Sequence, residues 1–380
     1  MITFFAVFFL SFALISFYIL RRMWQSLEST PKWFRYTMSG LFLFMVVSYP
    51  LAKGLLNGLN NFVYDIVLYI GAFGFAIIVY ALLFLFIIDI GRFILKKSGQ
   101  FKKLQNNYPR NKLISFMITL LLITIIVTAG EINADDIIVN EIPIKISKND
   151  APYKNLKLVF FSDLHLSPLN DERQLEKIIK LTQDLDPDII IMGGDIVDDN
   201  EANLYRDNVQ KLLKQISAPK GIYTILGNHE YIVEVENSIK ILQKCGVEIL
   251  RDEKVIIDDF VQIVGRDDLS KERFRGEKRK ELRDLLAGLD SSKPVILVDH
   301  QPYNLRDVTN FNVDLQLSGH THHGQLFPGN LITSIIYEVS YGLKKIEDTY
   351  FYVSSGVGTW GPPVRTGSKS EVVLFNIAFE

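Results

Sequence analysis

Between Asp65 and Asp89 the chain carries no charge at all. An apolar stretch of that length suffices to cross the hydrocarbon core of a bilayer, which takes about 20 residues. Helices buried in a soluble core rarely stay uncharged for so long. Similar runs flank it. Ile2 to Leu20 is uncharged up to Arg21-Arg22 and lacks the basic start of a cleavable signal peptide. Residues 38–56 are interrupted by Pro50 and Lys53, and residues 113–130 close the series. The simplest expectation is an N-terminal α-helical transmembrane anchor over residues 1–130, with four spans at about 2–20, 38–56, 66–90 and 113–130.

Charge divides along the same line. Residues 1–130 hold 12 Lys and Arg against three acids, Glu28, Asp65 and Asp89, so the overall −2 conceals +9 there and −11 beyond. Lys and Arg are retained on the cytoplasmic side of short loops. Arg21, Arg22, Lys32 and Arg35 follow the first span; Arg92, Lys96, Lys97, Lys102, Lys103, Arg110 and Lys112 follow the third. Both groups are therefore expected in the cytoplasm, which places everything after the fourth span on the extracytoplasmic side of a multi-pass integral membrane protein. If the second span only dips into the bilayer, the parity flips and the domain faces inward. No charge sits at a span centre, and Gly71 and Gly74 read as helix-packing positions. That pattern speaks for an anchor in contact with membrane lipids, and against a transporter.

Past a linker and leading strand at 131–154 the pattern changes. Short apolar runs at 156–161, 188–192, 221–226, 247–250, 254–264, 294–298, 313–317, 350–353 and 372–378 read as strands. Amphipathic stretches at 171–184, 201–217, 234–245 and 271–289 read as helices. Alternation of this kind predicts an α/β layered domain over 155–380, two packed β-sheets flanked by helices. The apolar segment 327–342 fits a loop leaning on the bilayer, a lining for acyl chains or a core helix, the last slightly favoured. The single cysteine, Cys245, excludes an internal disulfide, a thiolate-only zinc site and an iron–sulfur cluster.

All six histidines fall in the second part of the chain, each beside Asp, Asn or Gly at the end of an apolar run. They occur in Asp163-Leu-His165, Gly227-Asn-His229-Glu230, Asp299-His300 and Gly319-His320-Thr-His322-His323, interleaved with Gly193-Gly-Asp195-Ile-Val-Asp198. Ligands gather beyond the carboxyl ends of the strands in an open α/β sheet, so five strand ends could set carboxylate, amide and imidazole groups on one rim. The glycines at 193, 194, 227 and 319 allow sharp turns there. Nitrogen and oxygen donors without sulfur suit two divalent metal ions, Mn, Fe or Zn. A carboxylate bridging two such ions about 3.5–4 Å apart supports in-line attack on phosphorus by an activated water.

In order and spacing these blocks resemble the calcineurin-like metallophosphoesterase family, over about residues 155–380. The resemblance implies that Asp163, His165 and His322 hold one metal and Asn228, His300 and His320 the other, with Asp195 bridging. His229 is outside that ligand set; it would protonate the leaving oxygen or steady the phosphoryl charge, oriented by Asp198. The closing segment, Tyr352-Val-Ser-Ser-Gly-Val-Gly-Thr-Trp-Gly-Pro-Pro-Val-Arg365, looks like the membrane-associated branch of the family. Arg365 is there either a phosphate contact or a surface arginine after a proline turn. Where relatives commonly carry glycine, this chain has His323, which either contacts substrate or points to solvent.

The expectation is a membrane-anchored two-metal phosphoesterase, hydrolysing a phosphomonoester, phosphodiester or pyrophosphate with lipid-linked substrates in range. The membrane branch includes hydrolases of lipid-linked pyrophosphates such as UDP-diacylglucosamine, a cytoplasmic substrate at odds with an outward domain. Nucleic acid is not expected as a partner: a domain at −11 without a basic run is a poor match to a phosphate backbone. The alternative is a membrane sensor or scaffold with a non-catalytic metal site, for which an acid such as His229 held off the metals has no use.

Overall fold

The computed structural model describes residues 2–56, 59, 61–100, 107–148, 151–198 and 208–380, the side chains of residues 2–5 and 8 apart. The chain divides into two compact units, Met1–Gly130 and Glu131–Glu380. All four apolar runs form helices: α1 (Ile2–Ser26), α2 (Lys32–Gly54), α3 (Phe62–Lys97) and α4 (Tyr108–Asp135). Among the described residues, α3 and α4 are long and apolar enough to cross a membrane. Gly71 and Gly74 of α3 meet α2 at Tyr49 and Met45, which is the packing use expected of small residues. Lys102 and Lys103 lie outside the described residues.

The second unit is built on two six-stranded sheets. The first joins β1 (Ile137–Ile146), β2 (Asn155–Phe161), β3 (Ile189–Met192), β4 (Ile222–Thr224), β5 (Glu248–Ile249) and β12 (Ser370–Phe379) in the order β1-β12-β2-β3-β4-β5. The second joins β6 (Glu253–Ile257), β7 (Val261–Gly265), β8 (Val295–Val298), β9 (Leu315–Ser318), β10 (Gly342–Ile346) and β11 (Thr349–Val353) in the order β10-β11-β9-β8-β7-β6. Strands β2, β3 and β4 run parallel to one another, as do β7, β8 and β9.

Side chains two apart along a strand share a face, and this sorts the apolar runs into two layers. Leu156, Leu158 and Phe160 enter the core between the sheets with Ile263, Ile296 and Leu317. Val159 and Phe161 point the other way, under Leu175 and Ile178 of α5 (Glu172–Asp184). Burying each such side chain contributes about 1.5–3 kcal/mol. Helix α5 starts where Asp171 accepts the Gln174 N–H at 3.2 Å, an N-cap that satisfies an otherwise unpaired donor.

Three expectations are corrected. Residues 254–264 are not one strand but the antiparallel pair β6 and β7, reversed at Asp258-Asp259, both with φ of 51°. The helix expected over 271–289 is two short ones, Ser270–Arg275 and Leu282–Leu286, because Gly276 ends the first in the left-handed conformation. Residues 329–336, within the segment slightly favoured as core, form a helix with no buried residue. Of the helix expected over 201–217, residues 201–207 lie outside the described residues and Val209–Leu213 is helical.

Candidate metal centre

Each histidine-bearing block leaves the carboxyl end of a parallel strand. Asp163 and His165 follow β2, Asp195 and Asp198 follow β3, and Asn228 and His229 open α6 (Asn228–Val233) just after β4. His300 follows β8, and His320 and His322 follow β9. Contributions from both sheets thus meet at one rim, the placement expected from the strand ends.

Two donor groups form there. In one, His165 Nε2 and His322 Nε2 lie 3.1 Å apart, with Asp163 Oδ1 at 3.9 and 3.4 Å from them. In the other, His300 Nε2 lies 3.1 Å from Asp195 Oδ2, and His320 Nδ1 lies 2.8 Å from Asn228 Oδ1. The same Asp195 Oδ2 is 3.8 Å from His165 Nε2, so this carboxylate faces both groups. Asp163, His165 and His322, and likewise Asp195, His300 and His320, offer ligand atoms within 4.8 Å of one another.

The chemistry of these atoms fits a pair of cations. His300 Nδ1 donates to the Gly193 carbonyl at 2.8 Å, which aims Nε2 at Asp195 Oδ2 3.1 Å away, where it makes no well-aligned hydrogen bond among the described residues. A ligating histidine typically has its second ring nitrogen tied to a carbonyl or carboxylate in this way. Metal ligation also needs neutral imidazole. Burial pushes His165 down to about 4 and His320 to about 3, whereas Asp195 outweighs burial at His300 and raises it. His322 is lowered by burial, by His165 and by the charge of Arg365.

The local backbone is bent to deliver these groups. Asp163, His165, Asp195, His320 and His322 all have positive φ, from 46° to 71°, a region disfavoured for residues with a Cβ and found at functional sites. Glycine would relieve the strain but supply no ligand. Glycines stand instead where space is short. A Cβ on Gly319 would lie 2.3 Å from Asp163 Oδ2, and one on Gly227 would lie 2.2 Å from Asp195 Oδ1.

His229 is bound differently from the other histidines. Its Nδ1 lies 2.6 Å from Asp198 Oδ1, while its backbone N–H donates to Asp195 Oδ1 at 2.7 Å. Burial works against its charge, but Asp198 and Asp195 outweigh that and lift it to about 9. Its partners thus favour the protonated form. A ligand atom of His229 also comes within 4.8 Å of those of His165 and Asp195, so the proton is held beside the metal groups.

The calcineurin-like phosphoesterase family profile matches residues 156–324. An uncharacterized metallophosphoesterase of Aquifex aeolicus is 38% identical over 224 residues, covering 58% of this chain and 85% of that protein. The chain belongs to the calcineurin-like phosphoesterase family. Transmembrane proteins with a metallophosphoesterase domain from Bos taurus and Danio rerio are 31% and 30% identical, over 66% and 61% of this chain. The matches span 59% and 55% of those two proteins, so this chain aligns with little more than half of either. It is a metallophosphoesterase with a His/Asp metal-binding cluster, and its apolar helices together with these relatives point to membrane association.

Within this phosphoesterase the structure adds a residue that sequence reasoning passed over. Glu230 is fully buried, and its carboxylate accepts the backbone N–H groups of Asp195, Ile196, Val197 and Gly227 at 2.6–3.1 Å. It fixes the loop carrying Asp195 to the loop carrying Asn228 and His229. A glutamate three residues after Gly227, at the start of a helix, was the available signal.

Arg365 is not a surface arginine, because it is completely buried. Its guanidinium donates to the carbonyls of Ser355, Gly356 and Gly358 at 2.8, 3.1 and 2.5 Å, and to Ser368 Oγ at 2.7 Å. It also lies 3.3 Å from His322 Nδ1. Its place is behind the ligands, holding their supporting loop. His323 joins neither ligand group; half-buried, it packs on Tyr341 with ring centroids 5.0 Å apart, and its Nδ1 is 3.3 Å from Ser340 Oγ.

Proposed function

We propose that this chain is a membrane-anchored two-metal phosphoesterase that hydrolyses a phosphoester or pyrophosphate bond, lipid-linked substrates included. The observation carrying this reading is the pairing of two donor groups through Asp195 with His229 held just off them by Asp198 at 2.6 Å. Asp163, His165 and His322 would hold one divalent ion, Asn228, His300 and His320 the other, and Asp195 both; Mn, Fe and Zn all suit these donors. When bound, such ions supply Lewis acidity toward phosphoryl oxygens and lower the pKa of water. His229 gives its proton to the leaving oxygen, which would otherwise depart as an anion. Asp198 fixes the imidazole and favours its protonated form. Ser162 Oγ and the His320 N–H both donate to Asp163, keeping its carboxylate turned toward the site.

In this reading all four helices α1 to α4 cross the bilayer, and the basic loops face the cytoplasm, so the catalytic unit is extracytoplasmic. Protease added to intact cells should then digest it; protection would place it inside.

Chromogenic phosphomonoester and phosphodiester hydrolysis by the detergent-solubilised full chain, with manganese and with chelator, beside Asp195→Asn, tests the activity. Metal-dependent turnover that disappears in the variant is expected, and the ratio of the two rates narrows the substrate class. Two bound ions without turnover of either probe would favour the sensor or scaffold instead.

A further inference from the structure

Helix α7 (Val235–Lys244) has an apolar face that is buried, as in most helices of the phosphoesterase unit. The helix over Gly329–Ile336, here α8, does not. Its sequence is Gly-Asn-Leu-Ile-Thr-Ser-Ile-Ile, none of it is buried, and Ile335 is 85% exposed. Leu331, Ile332 and Ile336 are each more than half exposed, and Phe327 and Trp360 extend the same apolar surface. Soluble proteins seldom leave so large an apolar patch to water unless something binds it.

This patch borders the metal centre. The Trp360 ring lies 6.1 Å from His229, and the ring of Tyr337, which follows α8 directly, lies 6.3 Å from His320. The Gln325 side chain donates to the carbonyls of Trp360 and Pro362 at 3.1 and 2.9 Å, joining the α8 segment to the loop that carries Arg365.

The same loop is stitched to the point where α4 ends. Asn133, in the last turn of α4, donates to the carbonyls of Arg365 and Ser368 at 2.9 Å each, and Ser370 Oγ donates to the Ala134 carbonyl at 2.8 Å. Only Asp136 separates α4 from β1. The chain thus enters the phosphoesterase unit beside the loop bordering the apolar patch, directly after a helix long and apolar enough to cross a membrane.

We propose that α8, with Phe327 and Trp360, is an interfacial docking surface that seats the rim of the metal centre on a phospholipid bilayer, so that the phosphates it acts on are those of membrane-embedded molecules. The inference rests on the anchored phosphoesterase reading above. An amphipathic segment of this kind lies in the plane of the interface with its apolar side chains among the acyl chains. Trp and Tyr favour the headgroup level. Lys345, exposed on β10, adds positive charge suited to anionic headgroups, while its neighbour Lys344 is paired with Glu338 at 3.6 Å.

The test uses the full chain in nanodiscs of phosphatidylethanolamine and phosphatidylglycerol, with a nitroxide attached through Ile335→Cys or, separately, Leu331→Cys. Both positions are exposed, so neither variant disturbs the core, and unlabelled Cys245 is buried. Glu253→Cys on β6, at the opposite edge of the sheet from β10, is the aqueous control. Collisional relaxation by oxygen and by a water-soluble nickel chelate reads the surroundings of each label. At Ile335 and Leu331 the balance should shift to oxygen, with the control favouring nickel. Labels as open to nickel as the control would overturn the docking surface. Labels shielded from both reagents, as in contact with a second copy, would overturn it as well. Manganese-dependent cleavage of bis(p-nitrophenyl) phosphate is read on the same samples. Turnover with wet labels removes only the docking surface, whereas lipid-facing labels without turnover leave it standing and remove the catalytic reading.

Discussion

The floor and the rim of the metal centre are built on opposite terms. On the floor, Asp163, His165, His300, Glu230 and Arg365 are withdrawn from water altogether, and their side-chain polar atoms are matched within the described residues except for His165 Nδ1, His300 Nε2 and Arg365 Nε. On the rim, large apolar side chains of α8 stand in solvent with nothing over them. Burying an unmatched charge costs far more than exposing an isoleucine. The floor can therefore leave little unmatched beyond donors that metal ions would satisfy, such as His300 Nε2, whereas the rim can wait for a partner of another kind.

The contrast can be broken most sharply at His229. His229→Ala should slow turnover by about 10²–10⁴-fold while both ions stay bound, measured by metal analysis beside kinetics. The loss should shrink for an ester with a strongly acidic leaving group, which needs no proton; an equal loss for all esters would reassign the residue. Next comes Glu230→Ala, which leaves the four N–H groups of Asp195, Ile196, Val197 and Gly227 without their acceptor. Chemical denaturation should show a cost of about 1–3 kcal/mol for each N–H left buried without an acceptor, unlike a loop substitution without such bonds.

Arg365→Lys tests whether the arginine supports ligands from behind. A point charge cannot reproduce the fork that binds several carbonyls at once. Metal affinity should fall by about 10–100-fold with KM for a soluble diester little changed at saturating metal; a rise in KM alone would restore the phosphate contact. Smallest of all is Ile332→Glu on the rim. In detergent its stability should stay within about 0.5 kcal/mol of the parent, and a larger loss would mean that α8 packs against the chain itself.

Sequence carried the floor further than the rim. Each candidate ligand directly follows an apolar strand, so strand ends alone bring Asp163, Asp195, Asn228, His300 and His320 together. The two-layer sheet followed from the same alternation. Glu230 shows in the sequence only as a helix-start glutamate three residues after Gly227, and that local signal says nothing of its bonds to the backbone N–H groups of residues 195–197. The long helix expected over 271–289 overlooked Gly276, whose left-handed φ ends the first turn. The core assignment of 327–342 failed for a different reason: apolarity reports a preference for leaving water, and says nothing about whether the cover belongs to the same chain.

The single residue between α4 and β1 has one further consequence. In the anchored reading proposed above, a chain that passes from α4 to β1 through Asp136 alone keeps the phosphoesterase unit tethered to the membrane. Its encounters become those of a two-dimensional fluid. Rates would then follow the mole fraction of substrate in the membrane rather than its amount per litre, and diluting the membrane with inert lipid would slow the reaction with every bulk concentration held constant.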